Sequence, residues 1–254
     1  MKIFEDIGLI DLAIYTNKTL IFTDFHIGYE EALNKQGLMV PRFQFPEIMK
    51  RLEKIFSRLK NKKVERIIVN GDLKHEFGTI SEQEWRHTLR LLDYFGQHCN
   101  EIILIKGNHD TILGPIAKKR NVRVLDYFII GPMESTMRKN TFKNNYNKNK
   151  ILVIHGDKIP AKELFKCVST IIIGHEHPAV SIKEGPRAEL FKAFLIGKWK
   201  KYNVIAQPSF NLVVEGTDVL KEEVLSPFLK NNLGNFDVVA AADKLYEFGN
   251  IKDL

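Results

Sequence analysis

The chain has 254 residues, 44% of them hydrophobic, with a formal net charge of +7 and a pI near 9.2. That length suits one large domain, or a domain with a small appendage, and provides enough chain to bury a substantial core. No apolar run reaches the roughly 18 residues of a membrane-spanning helix, so such a span is not expected.

The start, Met1-Lys2-Ile3-Phe4-Glu5-Asp6, turns acidic where a secretory signal would turn apolar. Cys99 and Cys167 form neither a metal-type spacing nor a disulfide framework and read as small buried hydrophobes. A reducing cytoplasm is the expected location. The basic balance suits phosphate-bearing substrates or nucleic acid, although a lysine-rich surface also serves solubility alone.

In chain order, short apolar runs alternate with helical patterns, as in a layered α/β domain. Leu20–Thr23 reads as a buried strand ending at Asp24, and Phe45–Leu59 as a helix with Ile48, Leu52, Ile55, Phe56 and Leu59 on one face. Ile67–Val69 runs into Asn70-Gly71-Asp72. Ser81–Phe95 is a second amphipathic helix, with Ser81 at its N-cap and Glu84 three residues on. Ile102–Ile105 closes at Gly107-Asn108-His109-Asp110, followed by a short helix near Ile112–Lys119 and a strand near Val122–Leu125. Ser135–Lys150, rich in Asn and Lys, reads as an exposed loop or hairpin tip. Ile151–Ile154 then reaches His155-Gly156-Asp157. A helix near Ala161–Cys167 precedes Thr170–Ile173, which ends at Gly174-His175-Glu176-His177-Pro178. Hairpin texture follows over Ala179–Lys183, Ala188–Ile196 and Tyr202–Ala206. The tail segments Val238–Ala242 and Leu245–Phe248 read as one helix or as a hairpin turning at Asp243-Lys244, and the hairpin is preferred.

One event recurs along this chain: an apolar strand runs directly into His, Asp or Asn, usually beside Gly. In open α/β sheets, sites assemble beyond the C-terminal ends of strands, so these ends imply one shared site. Asp24 and His26, two apart on chain still extended from its strand, are expected to point the same way, and His175 and His177 repeat that spacing. Adjacent Asn108 and His109 cannot face one point, so one is free to bind metal while the other faces substrate. Imidazole, carboxylate and one amide oxygen, without thiolate, suit Mn, Fe or Zn. Asp24, His26, Asp72, Asn108, His155, His175 and His177 exceed the needs of one tetrahedral ion, and two ions sharing Asp72 would use them economically.

Asp24-Phe25-His26, Gly71-Asp72, Gly107-Asn108-His109-Asp110, His155-Gly156 and Gly174-His175-Glu176-His177 resemble the ordered motifs of the calcineurin-like metallophosphoesterase superfamily. The texture is also similar to predicted archaeal and bacterial phosphoesterases related to DNA double-strand-break repair nucleases. The resemblance implies an α/β sandwich of two packed mixed sheets flanked by helices, in four layers. Residues 1–220 would form this domain, and 221–254 a tail hairpin completing it. It also implies two divalent ions, Mn first, with Fe, Zn or Ni as alternatives. One ion would take Asp24, His26, Asp72 and His177, and the other Asp72, Asn108, His155 and His175. A bridging water or hydroxide would attack phosphorus, His109 would stabilise or protonate the leaving oxygen, and Asp110 could orient His109 through a hydrogen bond.

His75 is a possible substrate contact or a plain loop histidine, while His87 and His98 read as solvated or structural. Lys198-Trp199-Lys200-Lys201 suits phosphate contact with stacking on a base, or an edge guarded by lysines. The leading expectation is a metal-dependent DNA or RNA phosphodiesterase linked to repair. The alternatives are a phosphatase or cyclic phosphodiesterase for a small phosphoester, and a non-catalytic subunit of a repair complex. By analogy, a homodimer and a separate helicase or ATPase partner are expected. The chain carries no Gly-x-x-x-x-Gly-Lys-Ser/Thr loop of its own.

Overall fold

The computed structural model describes residues 1–4, 6–77, 80–111, 113–131, 150–166 and 168–254. The Asn- and Lys-rich stretch 135–149 and Cys167 lie outside the described residues.

The first sheet begins as an antiparallel meander, β1 (Lys2–Phe4), β2 (Ile7–Ile10), β3 (Ala13–Thr16) and β4 (Thr19–Phe22), and continues in parallel through β5 (Arg66–Asn70), β6 (Glu101–Ile105) and β7 (Arg123–Leu125). Helices α1 (Tyr29–Lys35), α2 (Gln44–Arg58), α3 (Glu82–Gly96) and α4 (Gly114–Arg120) connect its parallel strands. The second sheet contains β8 (Phe128–Ile130), β9 (Lys150–Val153), β10 (Val168–Ile173), β11 (Pro178–Glu184), β12 (Arg187–Trp199), β13 (Tyr202–Ala206), β14 (Thr217–Asp218), β15 (Asp237–Ala241) and β16 (Leu245–Asn250). Within it β9, β10 and β13 are parallel, while β15 pairs antiparallel with both β12 and β16.

The continuous apolar strands follow from burial on both faces. Side chains alternate across a strand, so Leu20, Phe22, Ile67 and Val69 pack under α2 and α3, on Ile48, Leu52, Leu91 and Phe95. Their neighbours Ile21 and Ile68 face the other way, onto Val153, Ile172, Phe194 and Ile205 of the second sheet. Ile171 and Ile173 fill that sheet's outer face, which Phe165, Phe228 and Phe236 cover. The layers are helices, sheet, sheet and an outer covering segment. The helix expected near Ala161–Cys167 is a single 3-10 turn, Lys162–Phe165. No helix among the described residues is long and apolar enough to cross a membrane.

Two helix starts are fixed by carboxylates that also serve the site. Ser81 and Glu84 form a reciprocal capping box at α3. At α2 no side chain of the cap residue helps. Instead Glu30 of α1 accepts from the amides of Phe43 (2.7 Å) and Gln44 (2.6 Å). Gln44 in turn donates to the carbonyls of Phe25 and His26, tying α2 to the loop after β4.

Candidate active site

β4, β5, β6, β9 and β10 end at one edge of the sandwich, and each passes into a loop carrying His, Asp or Asn. These loops are not continued strands. Asp24 (φ 52°), His26 (45°), Asp72 (43°), His175 (66°) and His177 (50°) are all left-handed. Asp24 and His26, like His175 and His177, therefore reach one site because kinked backbone turns them inward, not through the strand alternation expected from their spacing. Non-glycine residues seldom adopt this conformation, though Asp and His do so more than most. Irregular pairing holds it in place: His26 N donates to Asp72 O (2.9 Å), Ile27 N to Leu73 O (3.0 Å) and His75 N to Ile27 O (3.0 Å). Gly71 (φ 86°) is required between β5 and Asp72, since a Cβ there would lie 2.0 Å from His155 Nδ1.

Three groups of donor atoms result, each spanning no more than 4.8 Å: Asp24, His26 and His177; Asp72, His155 and His175; His26, His75 and His109. The Asn108 amide oxygen joins the second group, 2.9 Å from His155 Nε2 and 3.1 Å from His175 Nδ1. Asp72 joins the groups. Its Oδ1 accepts from the His109 amide (2.8 Å), which leaves Oδ2 3.4 Å from His155 Nε2 and 3.8 Å from His26 Nε2. Asp24 is organised similarly. Its Oδ2 accepts from Thr23 Oγ1 (2.6 Å) and the His175 amide (3.0 Å). Its fully buried Oδ1 has no hydrogen-bond partner among the described residues, although His177 Nε2 lies 3.5 Å away. His155 Nδ1 faces the Asn70 carbonyl (3.3 Å), which turns Nε2 toward Asn108 and Asp72.

His109 stands apart from the carboxylates. Its Nδ1 donates to the His75 carbonyl (2.5 Å), so Nε2 is the nitrogen left free. Asp110 does not orient it. That buried carboxylate accepts from the amides of Leu73, Lys74 and Gly107 and ties the β5 loop to the β6 loop. His75 is brought in, with Nδ1 3.3 Å from His26 Nδ1.

Several partners escaped the sequence reading. Lys74, fully buried, donates to the carbonyls of His109 and Glu76. Glu84 accepts from the amides of His75 and Glu76 as well as capping α3. Phe77, 56% exposed, lies with its ring 3.8 Å from that of His109. A hydrophobic residue two places after a site histidine was the available signal for Phe77; no spacing pointed to Lys74.

Lys198 and Trp199 are not part of this cluster. Trp199 pairs with Tyr202 at the start of β13, whereas the site lies beyond the level of Ala206, about 13 Å away at ~3.3 Å per residue. The indole is buried against Phe165, Tyr202 and Phe228, so it offers no face to a base.

The electrostatics reflect crowded imidazoles around two carboxylates. Burial pushes the Asp24 carboxyl up, but His177, His155 and His26 outweigh it and hold it below the usual range. Burial and the neighbouring His177 hold His26 well below the ordinary imidazole value, and burial and His155 do the same for His175. His155 goes the other way, since its contacts with Asp72 and Asp24 overcome the burial that would lower it. Burial and the Asp72 charge lift Asp110 to about 7. A buried orphan carboxylate oxygen facing imidazole nitrogens suits a divalent cation. Outside the ring of histidines a cavity of about 720 Å³, lined by Lys106, Asn108, Tyr127, His155 and Lys158, opens beside the second group.

The crystal structure of Pseudomonas putida nuclease MPE superposes with a TM-score of 0.59 at 19% identity, over 94% of this chain and 93% of that one. YfcE, a phosphoesterase from E. coli, gives 0.39 at 11% identity over 92% and 93%. Vacuolar protein sorting 29 from Cryptosporidium parvum gives 0.40 at 13% over 91% and 97%. The first likeness establishes a shared fold. The chain matches none of the curated proteins. A family model described as calcineurin-like phosphoesterase matches residues 18–207, which include every loop of the cluster. The chain therefore belongs to the calcineurin-like phosphoesterases, a hydrolase family that works with divalent metal ions.

Proposed function

We propose that this chain is a two-metal phosphodiesterase acting on nucleic acid. The observation that carries the two-metal reading is Asp72. One of its oxygens is held by the His109 amide, and the other faces a histidine from each of the two donor groups. Asp24, His26, Asp72 and His177 would hold one ion, and Asp72, Asn108, His155 and His175 the other. Such a pair, Mn in the first instance, would supply Lewis acidity toward a phosphoryl group and make water acidic enough to act as a nucleophile at neutral pH.

The chain's own residues do the rest. Thr23 and the His175 amide fix the Asp24 carboxylate, and the Asn70 carbonyl fixes the His155 ring. His109, locked through Nδ1 onto the His75 carbonyl, keeps Nε2 for the substrate, where its imidazolium form would give a proton to the departing oxygen. The net charge of +7 and the exposed Phe77 ring beside His109 support a polyanionic substrate with a base to pack. The nuclease activity named for the P. putida neighbour accords with this reading.

Purified protein with Mn should hydrolyse bis-p-nitrophenyl phosphate and cut DNA oligonucleotides. Asp72→Asn and His109→Ala should each lower kcat by about 100-fold or more. Hydrolysis confined to monoesters or cyclic nucleotides would sink the nucleic-acid reading. The cavity beside Asn108 would then favour a small phosphoester.

A further inference from the structure

The first turns of α2 and α3, both 15-residue helices, lie side by side at the site end of the first sheet and leave a cavity of about 330 Å³ between them. Arg42, Arg86, Arg90, His87 and Gln83 line it. Phe45 stiffens the wall: His87 stacks on its ring at 4.2 Å with 10° between planes, and Arg90 lies 5.1 Å over the same ring. Elsewhere in the chain Arg51, Arg66, Arg120 and Arg123 each hold a carboxylate. Arg42, Arg86 and Arg90 form no ion pair among the described residues, although all three line one cleft. Glu30 is the acid in the wall, and its carboxylate is taken by the amides of Phe43 and Gln44.

Two further observations bear on what the cleft would take. Gln83 is 8% exposed and its side-chain oxygen has no partner among the described residues. Turned over, that amide would place a donor where the oxygen now stands. His87 is held down at about 4, by burial first and then by Arg86, Arg90 and Arg42, so three cations lie close enough to act on one ring. The cleft also lies directly behind the catalytic loops. Gln44, next to Phe45, holds the carbonyls of Phe25 and His26, and Glu84, next to Gln83, holds the amides of His75 and Glu76.

We infer that this cleft binds a phosphodiester of the substrate strand other than the one being cut, an inference that rests on the nucleic-acid reading above. Planar guanidinium forks and an amide are the donors that a phosphate's tetrahedral oxygens accept. Free inorganic phosphate shares that chemistry, and the test separates the two.

The test uses the exposed triple variant Arg42→Gln/Arg86→Gln/Arg90→Gln, with Arg86→Gln alone as the milder change should the triple variant not fold. Binding of a fluorescent single-stranded oligonucleotide should weaken about 10- to 100-fold in the triple variant. The slope of log K against log salt should fall by about 0.7, the value for one single-strand phosphate no longer neutralised. Hydrolysis of bis-p-nitrophenyl phosphate, which carries a single phosphate, should stay within about twofold. Unchanged oligonucleotide affinity and slope would overturn the inference while leaving the nuclease reading intact. If inorganic phosphate shifted the His87 ring resonances while oligonucleotide binding ignored the substitutions, the cleft would be a free-phosphate site instead. A wild-type protein that hydrolysed the small diester but neither bound nor cut any oligonucleotide would remove the nucleic-acid reading, and this inference with it.

Discussion

Lys192 on β12 is 3% exposed, yet its ammonium group donates to Ser209 Oγ (3.0 Å), Val214 O (2.7 Å) and Glu215 O (2.9 Å). These bonds gather the segment leading to Gly216 and Thr217, where the Thr217 amide donates to the His177 carbonyl (2.9 Å). The lysine thus anchors the floor beneath a site histidine. Burial pulls its pKa from 10.5 down to about 8. At ~1.36 kcal/mol per unit, this shift corresponds to about 3 kcal/mol. Between pH 8 and 10.5 the unfolded chain keeps the proton that the folded one releases, so stability rises with pH across that window, and below it the full cost of burying the charge is present. Lys192→Met removes the titration and leaves three acceptors without a donor, so the two effects oppose each other near pH 7. The informative quantity is the difference in urea-unfolding free energy between wild type and variant. It should move in favour of wild type by about 3 kcal/mol as pH climbs from 8 to 10.5. A difference flat to within about 0.5 kcal/mol would refute the reasoning and show that the three acceptors keep the proton bound throughout.

A methyl group at Gly174 would lie 1.9 Å from Thr23 Oγ1 and 2.6 Å from Asp24 Oδ2. Gly174→Ala should therefore cost about 1–3 kcal/mol in denaturant melts and abolish detectable phosphodiesterase turnover, by displacing the carboxylate. At α3, Ser81→Ala should cost about 1 kcal/mol, the usual value of a lost N-cap. Glu84→Ala should cost about 3 kcal/mol, because it strips one acceptor from the amides of Ser81, His75 and Glu76 together, and equal losses in the two variants would count against that account.

The parts of this molecule legible in sequence are those in which one local rule operates. Ile67-Ile68-Val69 and Ile171-Ile172-Ile173 are buried on both faces, so their apolar runs announced strands, and the polar residues that follow marked where the strands stop. The Ser81–Glu84 capping box was legible for the same reason, being complete within four residues. The meander β1–β3 escaped because its strands are three or four residues long and the turn before β4 uses Asn17 (φ 44°) and Lys18 (φ 57°), not the usual Asn-Gly. At the site, residue identity was readable and backbone conformation was not. Nothing in Asp24-Phe25-His26 distinguishes extended chain from two left-handed residues, since the pairing partner, 71–75, lies far along the sequence. Trp199 failed as a surface contact because its burial depends on Phe165 and Phe228, brought together only by the sheet.

Those left-handed residues lead to a further prediction. Each non-glycine residue held in that region costs about 1–3 kcal/mol and persists only where its surroundings over-determine it. Here Asp24, His26, Asp72, His175 and His177 all do so, the His26 and His177 Nε2 atoms lie 3.3 Å apart, and a buried oxygen of Asp24 lacks a partner. The folded chain thus carries an assembled and strained ligand set that the unfolded chain does not possess. A cation that binds this set alone stabilises by RT ln(1 + [L]/Kd), about 2.7 kcal/mol at 100 times Kd. For a domain of this size that is about 5–10 °C in Tm. Mn should raise Tm by that amount in a concentration-dependent way, EDTA should reverse it, and Asp72→Asn, which loses the shared carboxylate charge, should show less than half the rise. If equilibrium dialysis found Mn bound to the wild type while Tm stayed within about 1 °C, the ion would be sitting on a surface equally available in the unfolded chain, and this donor set would not be its site.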